Sequence, residues 1–171
     1  EALLGSLTLP LDILRYKTQY SFDHVILEAG TGLTAIALIL AFAWLSEKTI
    51  IHVLLLGSSP EAFLEKLEFF LRTFNETFQS FLTIEQIRPY FQLHIPKTAR
   101  SFGSVNSHVL NMVCYMAKNE GILADPIYSA KLFLEGSKII SDLQGKVLFV
   151  HGGGGLSLMG FQEALGSFLN K

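Results

Sequence analysis

A chain of 171 residues is long enough for one domain, or for part of a larger one. Its 13 basic and 15 acidic side chains leave a formal charge of −2, without the basic surplus of a nucleic-acid binder. Half the residues are apolar and 16% are charged, with a mean hydropathy of +0.40, which excludes disorder and predicts apolar surface facing a larger body or a partner.

The first predicted element is a strand at 24–29 (HVILEA), a short β-branched run ended by Gly30-Thr31-Gly32. An Ala/Leu-rich helix follows over 33–45, apolar nearly all round. Its thirteen residues fall short of the roughly twenty that span a bilayer, so it reads as a buried core helix. A second strand at 50–56 (IIHVLLL) closes at Gly57-Ser58-Ser59. Pro60 then suits the first position of an amphipathic helix with Phe63, Leu67, Phe70, Leu71 and Phe74 on one face. Glu61, Glu65 and Glu68 take the solvated side, while Phe69, Phe70, Phe74, Phe78 and Phe81 read as core or interface. The pattern is less regular over 79–100, with a possible strand at 90–95 before Pro96.

Helical spacing resumes over 104–119 and stops at Gly121. Asp125-Pro126 predicts the cap and first turn of a helix running to about 143. Another strand at 146–151 (KVLFVH) is followed by four glycines and a last helix to about 169. Apolar strands separated by helices predict an α/β fold of three layers, a mostly parallel sheet with helices on both faces. Ligands then bind beyond the carboxyl ends of the strands, where the glycines lie. No basic-then-apolar segment with a cleavage site opens the sequence, so no signal peptide is expected, and Cys114 is the one cysteine, which fits a reducing, cytoplasmic setting. Glu1 is no initiator methionine, so a processed or cut start is expected.

Three stretches carry chemistry. In Gly30-Thr31-Gly32-Leu33-Thr34, a strand runs straight into a helix, where unpaired amides and the helix dipole favour an anion. Two glycines allow close approach and two threonines add hydroxyls, so a phosphate is the natural occupant; the alternative is a tight turn with nothing bound. The spacing of Gly30, Gly32 and Ala35 meets a relaxed dinucleotide fingerprint. The strand end Leu56-Gly57-Ser58 lacks the acidic partner, however, and no Gly-Lys-Ser/Thr follows the loop. His151-Gly152-Gly153-Gly154-Gly155 lets backbone crowd a ligand. Its HGGG also occurs in hydrolase oxyanion loops, but Ser157 is one residue out of place for a nucleophile elbow, and sixteen residues after Gly155 are too few for a triad. The third stretch pairs Tyr128 with Ser129 at a helix start, able to stack on and bond to a heteroaromatic ring, or else simply to cap the helix with Tyr128 in the core. The five histidines lack the close spacing of a metal site, and His52 within a strand reads as a satisfied core residue.

Together, 22–26 with Gly30 to Ala35, then Asn119-Glu120-Gly121-Ile122-Leu123-Ala124-Asp125-Pro126-Ile127-Tyr128-Ser129-Ala130-Lys131, then Val147 to Gly154, resemble the carboxy-terminal half of 1-aminocyclopropane-1-carboxylate deaminases and D-cysteine desulfhydrases. These are pyridoxal-phosphate enzymes related to the tryptophan synthase β subunit, of fold type II. The resemblance implies that Gly30, Thr31, Gly32, Leu33 and Thr34 cradle the cofactor phosphate and that Tyr128 lies by cofactor and substrate as a catalytic residue. It implies that Ser129 faces the pyridine nitrogen, and that His151, Gly152 and Gly153 border the cofactor. The deaminases carry glutamate where Ser129 stands and the desulfhydrases tend to carry threonine. The neutral hydroxyl therefore favours α,β-elimination from a small amino acid, to a 2-oxo acid and ammonia, over cyclopropane opening. His-Thr-Gly-Gly is common in the family, and Gly152 here lacks that hydroxyl.

The family's Schiff-base lysine lies upstream of every residue present, and Lys131 does not match it. Residues 1–171 are thus expected to be one partial domain of a larger two-domain enzyme, about half its length and inactive alone. A small amino acid is the implied substrate and a homodimer the implied assembly, with the 61–81 helix a possible interface; neither nucleic acid nor membrane is expected as a partner. Two alternatives stand beside this reading: a non-catalytic phosphate-binding or interaction domain of the same fold, and a nucleotide-binding domain weakened by the missing acidic residue.

Overall fold

The β-branched runs pair as a four-stranded, all-parallel sheet in the order β3-β2-β1-β4, formed by β1 (His24–Ala29), β2 (Ile50–Leu55), β3 (Phe91–His94) and β4 (Val147–Val150). The computed structural model describes residues 2–17 and 19–169, apart from the side chains of 168 and 169. The expectation for Glu1 lies outside the described residues. Val25 stands opposite Ile51 and Leu148, and Ile26 opposite His52 and Phe149. Alternation then sends Val25, Leu27, Ala29, Ile51, Val53 and Leu55 to one face and Ile26, Glu28, His52, Leu54 and Phe149 to the other.

On the first face lies α3 (Leu33–Trp44), with Ala35 to Ala43 all buried. It is covered in turn by α1 (Ala2–Ser6), α2 (Thr8–Lys17), α4 (Pro60–Phe78) and the short α5 (Ile84–Ile87). Being enclosed on every side explains its lack of a polar stripe. The sequence pattern had indicated neither α1 nor α2. On the second face lies α7 (Ser129–Ile140), where Phe133 packs on Phe149 at 5.7 Å between ring centroids and Gly136 leaves room for that ring. The three-layer reading therefore holds.

Boundaries moved at several ends. The helix after Pro60 stops at Phe78, because Gln79 turns left-handed and Asn75 ties down Ser80 and Leu82 with its side-chain amide. The expected helix over 104–119 divides into α6 (Ser107–Tyr115) and a wide π turn, Met116–Glu120, ending at Gly121. The helix expected from Asp125 begins at Ser129, with Tyr128 at its cap position; residues 126–128 form a turn instead. After the glycines, a 3-10 stretch over Gly155–Phe161 precedes α8 (Gln162–Leu169). Of the phenylalanines, Phe63 and Phe74 are buried, while Phe69 and Phe81 are 64% and 90% exposed and remain open to a partner.

Three histidines dispersed in sequence meet on the α7 face. His24 Nδ1 lies 3.1 Å from His52 Nε2, and His52 Nδ1 lies 3.0 Å from His94 Nε2. They form a row across β1, β2 and β3, and among the described residues no group of three or more His, Cys, Asp or Glu is arranged to hold a metal. Among the same residues, no helix is long and apolar enough to cross a membrane.

Candidate functional site at the carboxyl ends of the strands

The parallel sheet brings the three glycine- and hydroxyl-bearing stretches to one edge. Gly32 sits at the cap of α3 with φ of 86°, a conformation open to glycine. A Cβ there would lie 3.0 Å from the Phe63 ring beneath it. The amides of Leu33, Thr34 and Ala35 lie in the first turn of α3 and have no intrahelical acceptor. Residues Glu28 to Ala35 line a cavity of about 60 Å³, and Thr31 and Thr34 are exposed beside it. Lys66, on α4, donates to the Thr31 carbonyl at 3.3 Å and adds a positive charge that the motif did not reveal. An anion fits this loop.

The loop is held from below by β2. A Cβ on Gly57 would come within 2.8 Å of the Gly30 carbonyl oxygen, a backbone atom that cannot rotate aside. Gly57→Ala is therefore expected to push the loop out of place, lowering stability by about 2 kcal/mol and weakening phosphate binding. Urea unfolding and a phosphate titration on the same sample check both parts.

The Tyr128 ring lies over Gly30, 3.1 Å from where a Cβ would stand, so the second stretch roofs the first. Asp125 holds it there. Its carboxylate, fully buried, accepts from the amides of Ile127, Tyr128 and Ser129 at 2.8–3.0 Å and from the Ser129 hydroxyl at 2.7 Å. The Asp125 amide in turn donates to Ser129 Oγ at 2.7 Å. Ser129 is thus buried with its hydroxyl closed on Asp125, rather than offering a free hydrogen to a ligand.

The glycine run passes over the same acids. A Cβ on Gly152 would stand 2.6 Å from Glu28 Oε1, and one on Gly154 would stand 2.6 Å from Asp125 Oδ2. This close approach, together with φ near 90° at Gly153 and Gly154, is why glycines are needed. The His151 Nδ1 accepts from the Gly153 amide at 2.9 Å and shapes the turn.

Several contributors have no signal in the sequence. Glu28 lies within the strand at 24–29 and belongs to no motif; its Oε2 is buried with no hydrogen-bond partner. Burial pushes its pKa above the ordinary value, against the opposing pull of backbone amides and of His151. Lys131 is 1% exposed and donates to the carbonyls of Ala99 and Ser101 at 3.0 and 3.2 Å, while Glu135 accepts from the amides of Lys97 and Thr98. These two struts pin the 97–101 segment, which brings Phe102 edge-on to Tyr128 at 5.8 Å. Nothing in the spacing of 95–106 indicates that aromatic pair, because it depends on a bond to a helix thirty residues later.

Known proteins resemble this chain in sequence and in fold. A Pyrococcus furiosus protein named as a 1-aminocyclopropane-1-carboxylate deaminase is 24% identical over 87% of this chain and 44% of its own length. A rice protein (Oryza sativa subsp. japonica) named as D-cysteine desulfhydrase 2, mitochondrial, is 23% identical over 98% of the chain and 43% of its own length. The crystal structure of a homologue of 1-aminocyclopropane-1-carboxylate deaminase superposes with a TM-score of 0.80, covering 96% of this chain and 50% of that one at 24% identity.

This chain is a distant homologue of the 1-aminocyclopropane-1-carboxylate deaminases and D-cysteine desulfhydrases.

It spans less than half the length of the curated relatives it matches. No family model matches it. The crystal structure of a threonine deaminase matches more loosely, with a TM-score of 0.50 at 14% identity, covering 86% of this chain and 56% of that one. The deaminase-like fold is therefore this chain's own, and its three site stretches occupy one edge of it.

Proposed function

We propose that this chain is the cofactor-phosphate-holding part of a pyridoxal-phosphate-dependent deaminase or lyase that acts on a small amino acid. The observation that carries the reading is the glycine loop at the start of α3 roofed by the Tyr128 ring. Bound there, pyridoxal phosphate would supply an electron sink for carbanion chemistry. The chain's own part is to hold it. Unpaired amides of 33–35 and the hydroxyls of Thr31 and Thr34 take the phosphate, with Lys66 adding charge. Tyr128 presents its ring to the cofactor, and the Gly152–Gly153 backbone lets the ligand approach without a side chain between them.

Among the described residues, the lysines at the site are otherwise engaged: Lys66 is turned to Thr31 and Lys131 to Ala99 and Ser101. On this reading the Schiff-base lysine belongs to an upstream half, the intact protein is a two-domain enzyme forming a homodimer, and residues 1–171 alone hold the cofactor without turning substrate over. A neutral Ser129 where the deaminases carry glutamate supports α,β-elimination from a D-cysteine-like substrate over cyclopropane opening, its hydroxyl being closed on Asp125 and making no bond to the ring. A second reading, a non-catalytic phosphate-binding domain, would use the same loop and the same amides of 33–35.

Titrating the chain with pyridoxal phosphate and following cofactor fluorescence tests the reading. Saturable binding competed by inorganic phosphate and lost in Gly30→Val, where any side chain meets Tyr128, is the expected result. Binding that ignores both phosphate and the substitution would refute it. A lysine motif in the preceding coding sequence separates enzyme from non-catalytic domain.

A further inference from the structure

Glu28 is the last residue but one of β1, where the three stretches meet, and it differs from the buried acids beside it. Asp125 has four hydrogen-bond donors and Glu135 is held by two amides and Lys138. In Glu28, Oε1 lies against Gly152, while Oε2 is buried and unpartnered. A buried polar atom left without a partner destabilises the fold, so it needs a reason to persist. Glu28 also lines the cavity of the glycine loop together with 29–35. The hydroxyl next door, on Ser129, is already closed on Asp125. Among these neighbours, Glu28 therefore offers the unused hydrogen-bonding group.

We propose that Glu28 is a ligand-binding carboxyl of this site, whose Oε2 bonds a polar atom on the ring of the heteroaromatic phosphate that the loop holds. The inference rests on the cofactor reading above and adds a residue to it. A neutral carboxyl donates its hydrogen to a ring acceptor, and an ionised one accepts from a protonated ring nitrogen; both satisfy the orphan oxygen. Burial favours the neutral form before a ligand arrives, which keeps a second negative charge away from the phosphate. The contact is made only when ring and phosphate are both present, so it distinguishes the whole ligand from its phosphate alone.

The test compares two probes, pyridoxal phosphate and inorganic phosphate, on the wild-type chain and on Glu28→Gln and Glu28→Leu. For Glu28→Leu, affinity for pyridoxal phosphate should fall about tenfold while phosphate affinity stays within twofold, and Glu28→Gln, which keeps a donor and an acceptor, should lose less. Without ligand, Glu28→Leu should unfold at a higher temperature than wild type, because it removes the orphan oxygen; it also remains informative if Glu28→Gln fails to fold. Unchanged pyridoxal phosphate affinity overturns the proposal, and so does an equal loss for both probes, which would make Glu28 a support for the loop. A wild-type chain that binds phosphate but gains nothing from the ring refutes the cofactor reading itself, and the role of Glu28 with it.

Discussion

Replacing Asp125 with alanine is expected to lower the free energy of unfolding by about 4 kcal/mol and to abolish ligand binding at the glycine loop. The carboxylate is fully buried and accepts four hydrogen bonds, three from amides of the turn over 126–128 and the start of α7. Its removal leaves three amides and the Ser129 hydroxyl facing apolar neighbours, each costing on the order of 1 kcal/mol or more. A domain is stable by roughly 5–15 kcal/mol, so the loss is a large share of the whole. The functional consequence follows from position: the same bonds hold Tyr128 over Gly30. Asp125→Asn keeps one acceptor oxygen and should lose about half as much, whereas Ser129→Ala removes one bonded hydroxyl and should cost about 1 kcal/mol. Urea unfolding of the three variants checks the order Ala, Asn, then Ser129→Ala. Equal losses in all three would show that the carboxylate does not organise the turn.

The second large effect is acid sensitivity centred on His52. A backbone carbonyl only accepts, so His24 Nε2, 3.1 Å from the Gln144 oxygen, carries a hydrogen. In a neutral row, His24 Nδ1 then accepts from His52 Nε2, and His52 Nδ1 accepts from His94 Nε2. A second proton on His52 would point at the N–H of His94. Burial, then the charges of His94 and His24, hold its pKa down to about 4 from 6.5, and burial lowers that of His94 also. A cavity of about 470 Å³ beside β3 brings Lys97, Lys138, Glu135 and Asp142 to the same end of the row.

A lowered histidine pKa means that the unfolded chain binds more protons than the folded one between these values. Stability is then intact above 6.5 and falls as pH drops towards 4. The shift amounts to about 3 kcal/mol for His52. Glu47 and Glu135, whose pKa values are lowered, lose their contributions only below 4.5; Glu28, raised, runs the other way above 4.5. Unfolding midpoints measured from pH 7 to pH 5 in a Glu28→Gln background therefore isolate the histidines. The expected decline should largely vanish in His52→Leu, and a decline of the same slope in that variant would rule His52 out as its source.

Much of this molecule is legible in the order of its residues. The strand at 24–29 formed with those bounds, because two glycines and a β-branched run leave it little freedom. The apolar helix after it differed by one residue, and the glycine loop fell at the strand end that the parallel arrangement requires. Elsewhere the local signal misplaced an end. Asp125-Pro126 reads as a helix cap and first turn, yet the Asp125 carboxylate spans a turn and caps a helix that starts at Ser129. The same residue types satisfy both geometries, and packing of Tyr128 on Gly30 goes with the observed one.

Composition, at −2 and 16% charged, excluded a basic nucleic-acid surface and a disordered chain, and periodicity determined the α/β alternation and where a phosphate could sit. These properties are local: each is read within a turn of helix or a few residues of strand. The row of His24, His52 and His94, the orphaned oxygen of Glu28 and the struts of Lys131 and Glu135 were decided by tertiary structure alone. The row and the struts join groups that the sheet register or the docking of α7 brings together across roughly thirty residues or more, and burial that no sequence window contains shifts the pKa values of His52, His94 and Glu28. The low charge of the chain thus has a structural counterpart, an apolar helix enclosed by its neighbours beside a site where Asp125 and Glu135 are buried and paired while Glu28 keeps one orphaned oxygen.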